Sequence, residues 1–345
     1  MTEPAPADPS RAERGEVEIV RADPGHEPQI LDLATRTLGW DADPRFADLY
    51  RWKHDQNPFG RSPRWVALVD GAVVGFRVLL RWRFRLADGR GVEAVRAVDT
   101  ATDPAHQGRG IFTRLTTAAI DELRAEGVEL VFNTPNDQSR PGYLKMGWTE
   151  LGRPPVAMAG RLASLGRIAR SRTAAELWSE PCDVGEPAGT HLADPAHASG
   201  IAALLADTAA ADGRSWRTDH SPAELGWRYG LSHLRYRVLT TDHLGGRRDA
   251  PGLVVFRLRR RGPSTEATVC EVLTGSARTR RRLLREVRRA TGADYALVAA
   301  TRALDATPAV ALSSFAPLVT WRRLSELPTP RAEEVAFSLG DLELF

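Results

Sequence analysis

Apolar and polar positions first alternate over Val17-Glu18-Ile19-Val20, which reads as a strand. Ile30 to Leu38 reads as a short helix with apolar Ile30, Leu31, Leu33 and Leu38. Pro44 to His54 reads as a second helix, with Pro44 near its start and Phe46, Leu49, Tyr50 and Trp52 on its apolar face. Trp65 to Val69 is a strand, Asp70-Gly71 is a strong hairpin signal, and Val73 to Leu86 returns as a long strand. After a turn at Ala87-Asp88-Gly89, alternation resumes over Val92 to Thr100. A polar, glycine-rich loop from Thr102 to Gly110 leads into a helix over Ile111 to Glu126, and Glu129 to Phe132 is a short buried strand. Strand 92–100, helix 111–126 and strand 129–132 make one βαβ unit, right-handed by the general rule for parallel crossovers.

The second half repeats this order faintly. Leu49-Tyr50-Arg51-Trp52-Lys53-His54 is echoed by Glu224-Leu225-Gly226-Trp227-Arg228-Tyr229, and Val74-Gly75-Phe76-Arg77-Val78 by Val254-Val255-Phe256-Arg257-Leu258. The two offsets are similar, roughly 175–180 residues, as expected of one duplicated unit with small insertions. Strand Ala267 to Leu273, helix Arg278 to Ala290 and strand Asp294 to Val298 complete a second βαβ unit. The expected layout is a disordered leader over 1–15, a domain over 16–155, a connector over 156–186 that includes amphipathic Arg161 to Trp178, and a second domain over 187–345.

Composition narrows the class. The 345 residues are 42% hydrophobic and 26% charged, with 47 Lys+Arg against 44 Asp+Glu, as in a globular protein with ample core and little net charge. Lys53 and Lys145 are the only lysines. Two cysteines, Cys182 and Cys270, give neither a metal spacing nor a disulfide framework, and the histidines show no metal-ligand pattern. No apolar run approaches a membrane span and no secretory leader is visible, so a cytoplasmic two-domain protein is expected. The helix from Ser276 to Arg289 carries seven arginines, but no aromatic interleaving supports a nucleic-acid partner, and none is expected.

The informative stretch runs Asp99-Thr100-Ala101-Thr102-Asp103-Pro104-Ala105-His106-Gln107-Gly108-Arg109-Gly110-Ile111-Phe112. A strand ends, and two glycines flank an arginine where a helix begins. The first N–H groups of a helix have no partner within it, the dipole is positive there, and glycine removes the Cβ atoms that block a phosphate. The loop suits a phosphate or pyrophosphate; a tight turn that needs glycine for geometry is the plainer reading. It is neither a Walker A loop nor a dinucleotide fingerprint. After the next strand comes Asn133-Thr134-Pro135-Asn136-Asp137-Gln138-Ser139-Arg140-Pro141-Gly142-Tyr143-Leu144-Lys145-Met146-Gly147-Trp148. Two parallel strands end on the same edge, so Asn136, Ser139 and Tyr143 are expected beside the glycine loop.

These two segments resemble the GNAT superfamily of acyl-CoA-dependent N-acyltransferases. Gln107-Gly108-Arg109-Gly110 matches its Gln/Arg-x-x-Gly-x-Gly/Ala pyrophosphate loop, and Asn136 with Tyr143-Leu144-Lys145-Met146-Gly147-Trp148 matches its Asn…Tyr-x-Lys-x-Gly-aromatic segment. Phe112 departs from the family, which usually has a small residue there. The resemblance implies an α+β fold of two tandem GNAT-like domains, each a mixed, mostly antiparallel twisted sheet flanked by helices, the C-terminal copy being degenerate. It implies an acyl-CoA co-substrate, most often acetyl-CoA, with Gln107, Gly108, Arg109, Gly110 and Ile111 at the pyrophosphate, and Ala101, Thr102, Asn136 and Ser139 lining the cofactor cleft. It also implies direct attack by a small-molecule or peptide amine, no metal, and Tyr143 as general acid; the Ala101 N–H is expected to polarise the carbonyl.

The base is left open among Asp99, Glu93, His54, His106 and the Phe345 carboxylate; strand alternation puts Glu93 and Asp99 on one face. The competing reading is a non-catalytic acyl-CoA-binding or arginine-rich interaction module. A monomer or homodimer is expected.

Overall fold

A computed structural model describes residues 15–40, 43–160, 162–171, 173–245, 250–300, 310–311 and 316–342. All but the last residue of the expected leader, and Phe345, lie outside the described residues. The first half contains β1 (Glu18–Arg21), α1 (Glu27–Thr37), α2 (Arg45–Asp55), β2 (Arg64–Val69), β3 (Ala72–Leu86), β4 (Gly91–Thr102), α3 (Ile111–Ala125), β5 (Leu130–Asn133), α4 (Arg140–Lys145) and β6 (Thr149–Gly152). Next come β7 (Val156–Gly160), α5 (Leu165–Arg170), β8 (Glu186–Pro187), α6 (Ala188–Ala193), α7 (Pro195–Asp212), β9 (Trp216–Thr218) and α8 (Pro222–Arg228). The chain continues through β10 (Arg237–Thr240), β11 (Leu253–Arg261), β12 (Ser264–Leu273), α9 (Ala277–Thr291), β13 (Tyr295–Ala299), β14 (Val310–Ala311), β15 (Val319–Arg323), β16 (Val335–Ala336) and α10 (Leu339–Leu342).

The hairpin signal works as its chemistry requires: Asp70 and Gly71 both take left-handed backbone angles, φ 51° and 79°, between β2 and β3. The first sheet runs β1-β2-β3-β4-β5-β15-β6, with short β9 and β16 attached beyond β3; the second runs β14-β7-β13-β12-β11-β10-β8. In each, one neighbouring pair along the main path is parallel, β4 with β5 and β12 with β13. Read from the other end, the second order reproduces the first element for element: β8 stands for β1, β10 for β2, β11 for β3, β12 for β4 and β13 for β5.

The remaining strands are exchanged. Between β5 and β6 lies β15, which comes from the far end of the chain; the matching place in the second sheet holds β7, which precedes the rest of that sheet. Val156–Gly160 falls in the expected connector and is instead a strand, Tyr295 facing Gly160 and Ala299 facing Val156. Neither exchange shows in local sequence, because five-residue apolar strands carry no mark of their partner. Among the described residues of the amphipathic stretch that follows, only Leu165–Arg170 forms an α-helix of more than one turn.

Each sheet face is covered by the residues its pattern predicts. Ile30, Leu33 and Tyr50 of α1 and α2 pack on Val66, Phe76 and Val78, while Leu115, Ala119, Ile120 and Leu123 of α3 pack on Leu79, Val95, Ala97 and Val131. Between the sheets, an aromatic layer joins Trp82, Phe84, Phe132, Trp216, Trp321 and Phe337. Trp321, on the exchanged β15, lies 5.5 Å from Phe84 and 5.4 Å from Trp216 between ring centres.

Two expectations follow. Truncating buried Trp321 to Ala should cost about 3–5 kcal/mol, and the melting temperature should drop by several degrees or more. A fragment ending at Arg153 lacks β15, so β5 and β6 lose their shared neighbour. Thermal circular dichroism should show no cooperative transition for it; a sharp native-like melt would mean that the first half completes its sheet without the exchange.

Candidate active site

The site begins where two strands part. Parallel pairing of β4 with β5 spans Ala94 with Leu130, Val95 with Val131 and Arg96 with Phe132, then stops, while β4 runs on to Thr102 against β3 alone. The Asp103 N–H donates to the Val74 carbonyl, 2.9 Å. Because successive N–H groups of a strand alternate sides, those of Thr100 and Thr102 point away from β3 into the gap. The expected Ala101 N–H points the other way, and Ala101 itself pairs with Phe76.

A β-bulge between Arg77 and Leu79 gives β4 one extra residue. It breaks the parity that placed Glu93 and Asp99 together. Val95 and Ala97, in step with Glu93, face α3, whereas Ala101, in step with Asp99, packs with α1 and α2 residues. Glu93 is moreover exposed, paired to Arg83 at 2.7 Å, and six residues along the strand, ~20 Å, from Asp99. It does not belong to the site.

At the end of the gap, Asp103 shapes the loop. Its carboxylate accepts from the Ala105 N–H at 2.9 Å and pairs with Arg36 at 2.9 Å, and these bonds, that from Arg36 foremost, hold its carboxyl below the usual range. Gly108 and Gly110 then take left-handed φ of 75° and 69°, and no atom lies within 4 Å of where a Cβ would stand on either. Gly110 caps α3, whose first intrahelical bond runs from the Arg114 N–H to the Gly110 carbonyl, 2.9 Å. The amides of Ile111, Phe112 and Thr113 precede it, at the positive end of a 15-residue helix. The side chains of Gln107 and Arg109 fold back on the Thr102 and Gly15 carbonyls, at 3.4 and 2.6 Å, leaving backbone and open space as the cradle.

Across the gap, exposed Asn136 accepts from the Ser139 N–H and hydroxyl, both 2.9 Å, and so turns the chain into α4. Tyr143 on α4 is buried, and its ring stands edge-on to Phe112 at 5.3 Å, which joins α4 to the first turn of α3. Phe112 fits because residue 142 is glycine: a Cβ there would come within 3.1 Å of its ring. The Tyr143 hydroxyl accepts a 2.6 Å hydrogen bond from Arg77 Nη2. Arg77 is fully buried, and its Nε and Nη1 have no hydrogen-bond partner among the described residues.

On the opposite sheet face, α2 brings two neighbouring side chains to Asp99: the Lys53 ammonium at 2.5 Å and His54 Nε2 at 2.8 Å. The Ser62 hydroxyl meets His54 Nδ1 at 2.9 Å. Burial pushes His54 down to about 4, against the pull of Asp99. Burial would raise the Asp99 carboxyl, but Lys53 and then His54 outweigh it and hold it well below the usual carboxylate range. At neutral pH the group is therefore a carboxylate between an ammonium and a neutral imidazole. His106 stands apart in the turn beside Asp103, 3.8 Å from its carboxylate.

Arg77, Arg96 and Lys53 are the site residues that sequence reasoning passed over. Arg96, also fully buried, donates to Thr134 Oγ1 at 3.1 Å, to the Leu342 carbonyl at 2.9 Å and to the Asp341 carbonyl, so α10 is held under the start of the gap. Burial first, then nearby Arg228, pushes this guanidinium down to about 9. The signal was a single arginine inside an otherwise apolar run, in Val74-Gly75-Phe76-Arg77-Val78 and again in Ala94-Val95-Arg96-Ala97.

The equivalent place in the second half differs. Ser276 Oγ accepts from the Thr279 N–H at 3.3 Å, capping α9 from within. Asp207 of α7 packs over Gly275, with atoms 3.4 Å from where its Cβ would be. No open cradle remains at that helix start.

Comparison with known proteins agrees with this geometry. Residues 18–151 match the family model described as an acetyltransferase (GNAT) domain. Among solved structures, a GCN5-related N-acetyltransferase from Kribbella flavida aligns with TM-score 0.60 at 13% identity, covering 90% of this chain and 72% of that one. Another GCN5-related N-acetyltransferase, from Anabaena variabilis, aligns with TM-score 0.60 at 12% identity, covering 90% and 73%. No curated protein matches the chain. At these identities the structural likeness concerns the fold, two sheets included, while the family match covers the segment that holds the glycine loop and Tyr143. Residues 18–151 thus form a segment that matches a GNAT acetyltransferase domain.

Proposed function

We propose that the gap between β4 and β5 binds an acyl-CoA, most simply acetyl-CoA, and that the chain transfers its acyl group to an amine. The observation that carries this reading is the pair of left-handed glycines with open space around them, set at the start of α3 and at the end of an unpaired strand edge. Backbone amides from Gly108 to Ile111 would hold the pyrophosphate, and the Thr100 and Thr102 N–H groups are free to bind the amides of the pantetheine arm. The match of residues 18–151 to an acetyltransferase (GNAT) domain supports the same class of reaction.

Direct transfer needs three things from the protein: a neutral amine, a polarised thioester carbonyl, and a proton for the departing sulfur. Tyr143 is suited to the third. Its oxygen accepts from Arg77, so its own proton is left for another acceptor. Asp99 serves the first only by binding: Lys53 and His54 keep it ionised, so it draws in and orients an acceptor's ammonium group, which loses its proton to solvent before attack. The thioester, lying at sheet level, is then served by Tyr143 from one face and Asp99 from the other. The acceptor remains defined only as an amine small enough to reach that gap.

Release of free thiol from acetyl-CoA across a panel of amines tests the reading; binding without turnover for any amine would favour the non-catalytic alternative. Gly110→Asp puts a carboxylate in the cradle and should abolish acetyl-CoA binding by calorimetry while the fold is retained. The unaltered chain should bind one equivalent, since the second half has no cradle; two would overturn the assignment.

Tyr143→Phe should lower turnover by on the order of 10²–10⁴ with little change in acetyl-CoA affinity, and near-normal turnover would reduce Tyr143 to packing. The His54 environment also predicts a pH effect. Its folded value, about 4, lies below its ordinary 6.5, so the unfolded chain takes up the proton first and stability is lost as pH falls from about 6.5 towards 4. That loss should approach ~3 kcal/mol and be missing from His54→Gln when melts are compared across this range.

A further inference from the structure

The second sheet also has a parting. β12 and β13 pair in parallel up to Val269 with Val298 and then separate. α7, β9 and the Phe337–Leu339 segment close around the opening, leaving a cavity of about 240 Å³. Its walls are largely apolar, with Val272 and Phe337 among them. The volume is small even for a metabolite site, and the capped start of α9 offers no place for a pyrophosphate.

A buried charge cluster reaches this cavity. His220 Nδ1 meets Glu224 at 2.7 Å, and its Nε2 lies 3.6 Å from Asp341 and 3.8 Å from Glu271. Arg228 binds Glu224 at 3.0 Å and lies 3.6 Å from Asp341. Glu224, Glu271 and Asp341 thus face His220 and Arg228, with Arg96 beyond Arg228 and bonded to the Asp341 carbonyl. His220 and Glu271 are the members that line the cavity, and the carboxylate there is that of Glu271. It is 5% exposed, and its Oε1 accepts from the Tyr229 hydroxyl at 2.7 Å and the Ser338 hydroxyl at 2.6 Å. Its Oε2 has no hydrogen-bond partner among the described residues. Burial, eased by His220 and reinforced by Asp341, raises this carboxyl to about 7.

The same cavity is also lined by arginines. Arg85 is matched by Asp219 at 2.6 Å and Arg214 by Asp212 at 2.5 Å, while Arg217, between them on β9, has no ion pair among the described residues. With Arg280 at the wall bonded to the Ala299 carbonyl, Glu271 and Arg217 are the carboxylate and the guanidinium left to face a ligand in this mixed apolar and polar space. We propose that this cavity is a second ligand site, for a small apolar amino acid: the ammonium group on Glu271, the carboxylate on Arg217, the side chain on Val272 and Phe337. Arg85 at its rim is eight residues along β3 from Arg77, ~26 Å, while α10 borders both openings through Asp341 and Arg96; the proposal does not rest on the acyl-transfer reading.

Calorimetry on the full chain without acyl-CoA tests this with L-leucine, L-methionine and L-phenylalanine, then with the methyl ester and the des-amino acid of whichever binds best. At least one amino acid should bind at one per chain, and equally well to the Gly110→Asp variant. Glu271→Gln and Arg217→Gln should each weaken it by about tenfold or more. The ester should be indifferent to Arg217→Gln and the des-amino acid indifferent to Glu271→Gln. Arg217 is partly exposed, so its variant keeps the test valid if Glu271→Gln fails to fold. Absence of binding by all three amino acids overturns the proposal. So does binding that neither variant weakens, or saturation by zinc ion alone through His220, Glu271 and Asp341.

Discussion

The parting of β4 from β5 after Arg96 is the constraint from which the first half's chemistry derives. Two parallel strands that stop bonding leave a row of N–H and C=O groups, each costing roughly 1–3 kcal/mol if buried without a partner. The bulge opposite Val78 supports the divergence by turning the end of β4. Arg96 sits at the last bonded pair and fastens α10 beneath it, so the opening has a floor made from the far end of the chain. The glycine loop, the α3 amides and Tyr143 are arranged around that one interruption.

The second half shows what happens when the same interruption is filled differently. Its strands part as well, after Val269 and Val298, but Ser276 occupies the helix start and α7 lies against Gly275. A serine hydroxyl and a packed helix are enough to convert an anion cradle into ordinary core. The two sheets thus share a strand order, and the second opening has charged groups inside it instead of glycines at its end.

Much of this was legible in the amino-acid sequence, and the failures have physical causes. The βαβ units, the Asp70-Gly71 hairpin and the glycine loop follow from local periodicity and turn chemistry, which depend only on neighbouring residues. Tyr143 and Phe112 meet because Gly142 clears the space, a compensation that makes sense of an otherwise odd Phe. Glu93 was misplaced because period-two counting assumes an unbroken ladder, and a bulge leaves no sure mark in sequence. The Lys53–Asp99 pair needs α2 to be packed on the sheet before it exists. β15 and β7 were invisible as partners because strand pairing over such distances is decided by the whole fold.

The exchange of β7 and β15 also bears on how the chain is made. β5 ends at Asn133, and its neighbour on the open side ends at Arg323. At ~5–20 residues per second, synthesis would expose that unfilled edge for roughly ten to forty seconds before its partner leaves the ribosome. Throughout that interval Phe132 and the aromatic layer behind it lack the ring of Trp321. A nascent chain in this state offers a bare strand edge beside exposed aromatic surface, the combination that invites pairing with another copy. The order in which the strands are woven therefore makes the newly synthesised protein a natural client for chaperones, although the finished fold has its edge covered.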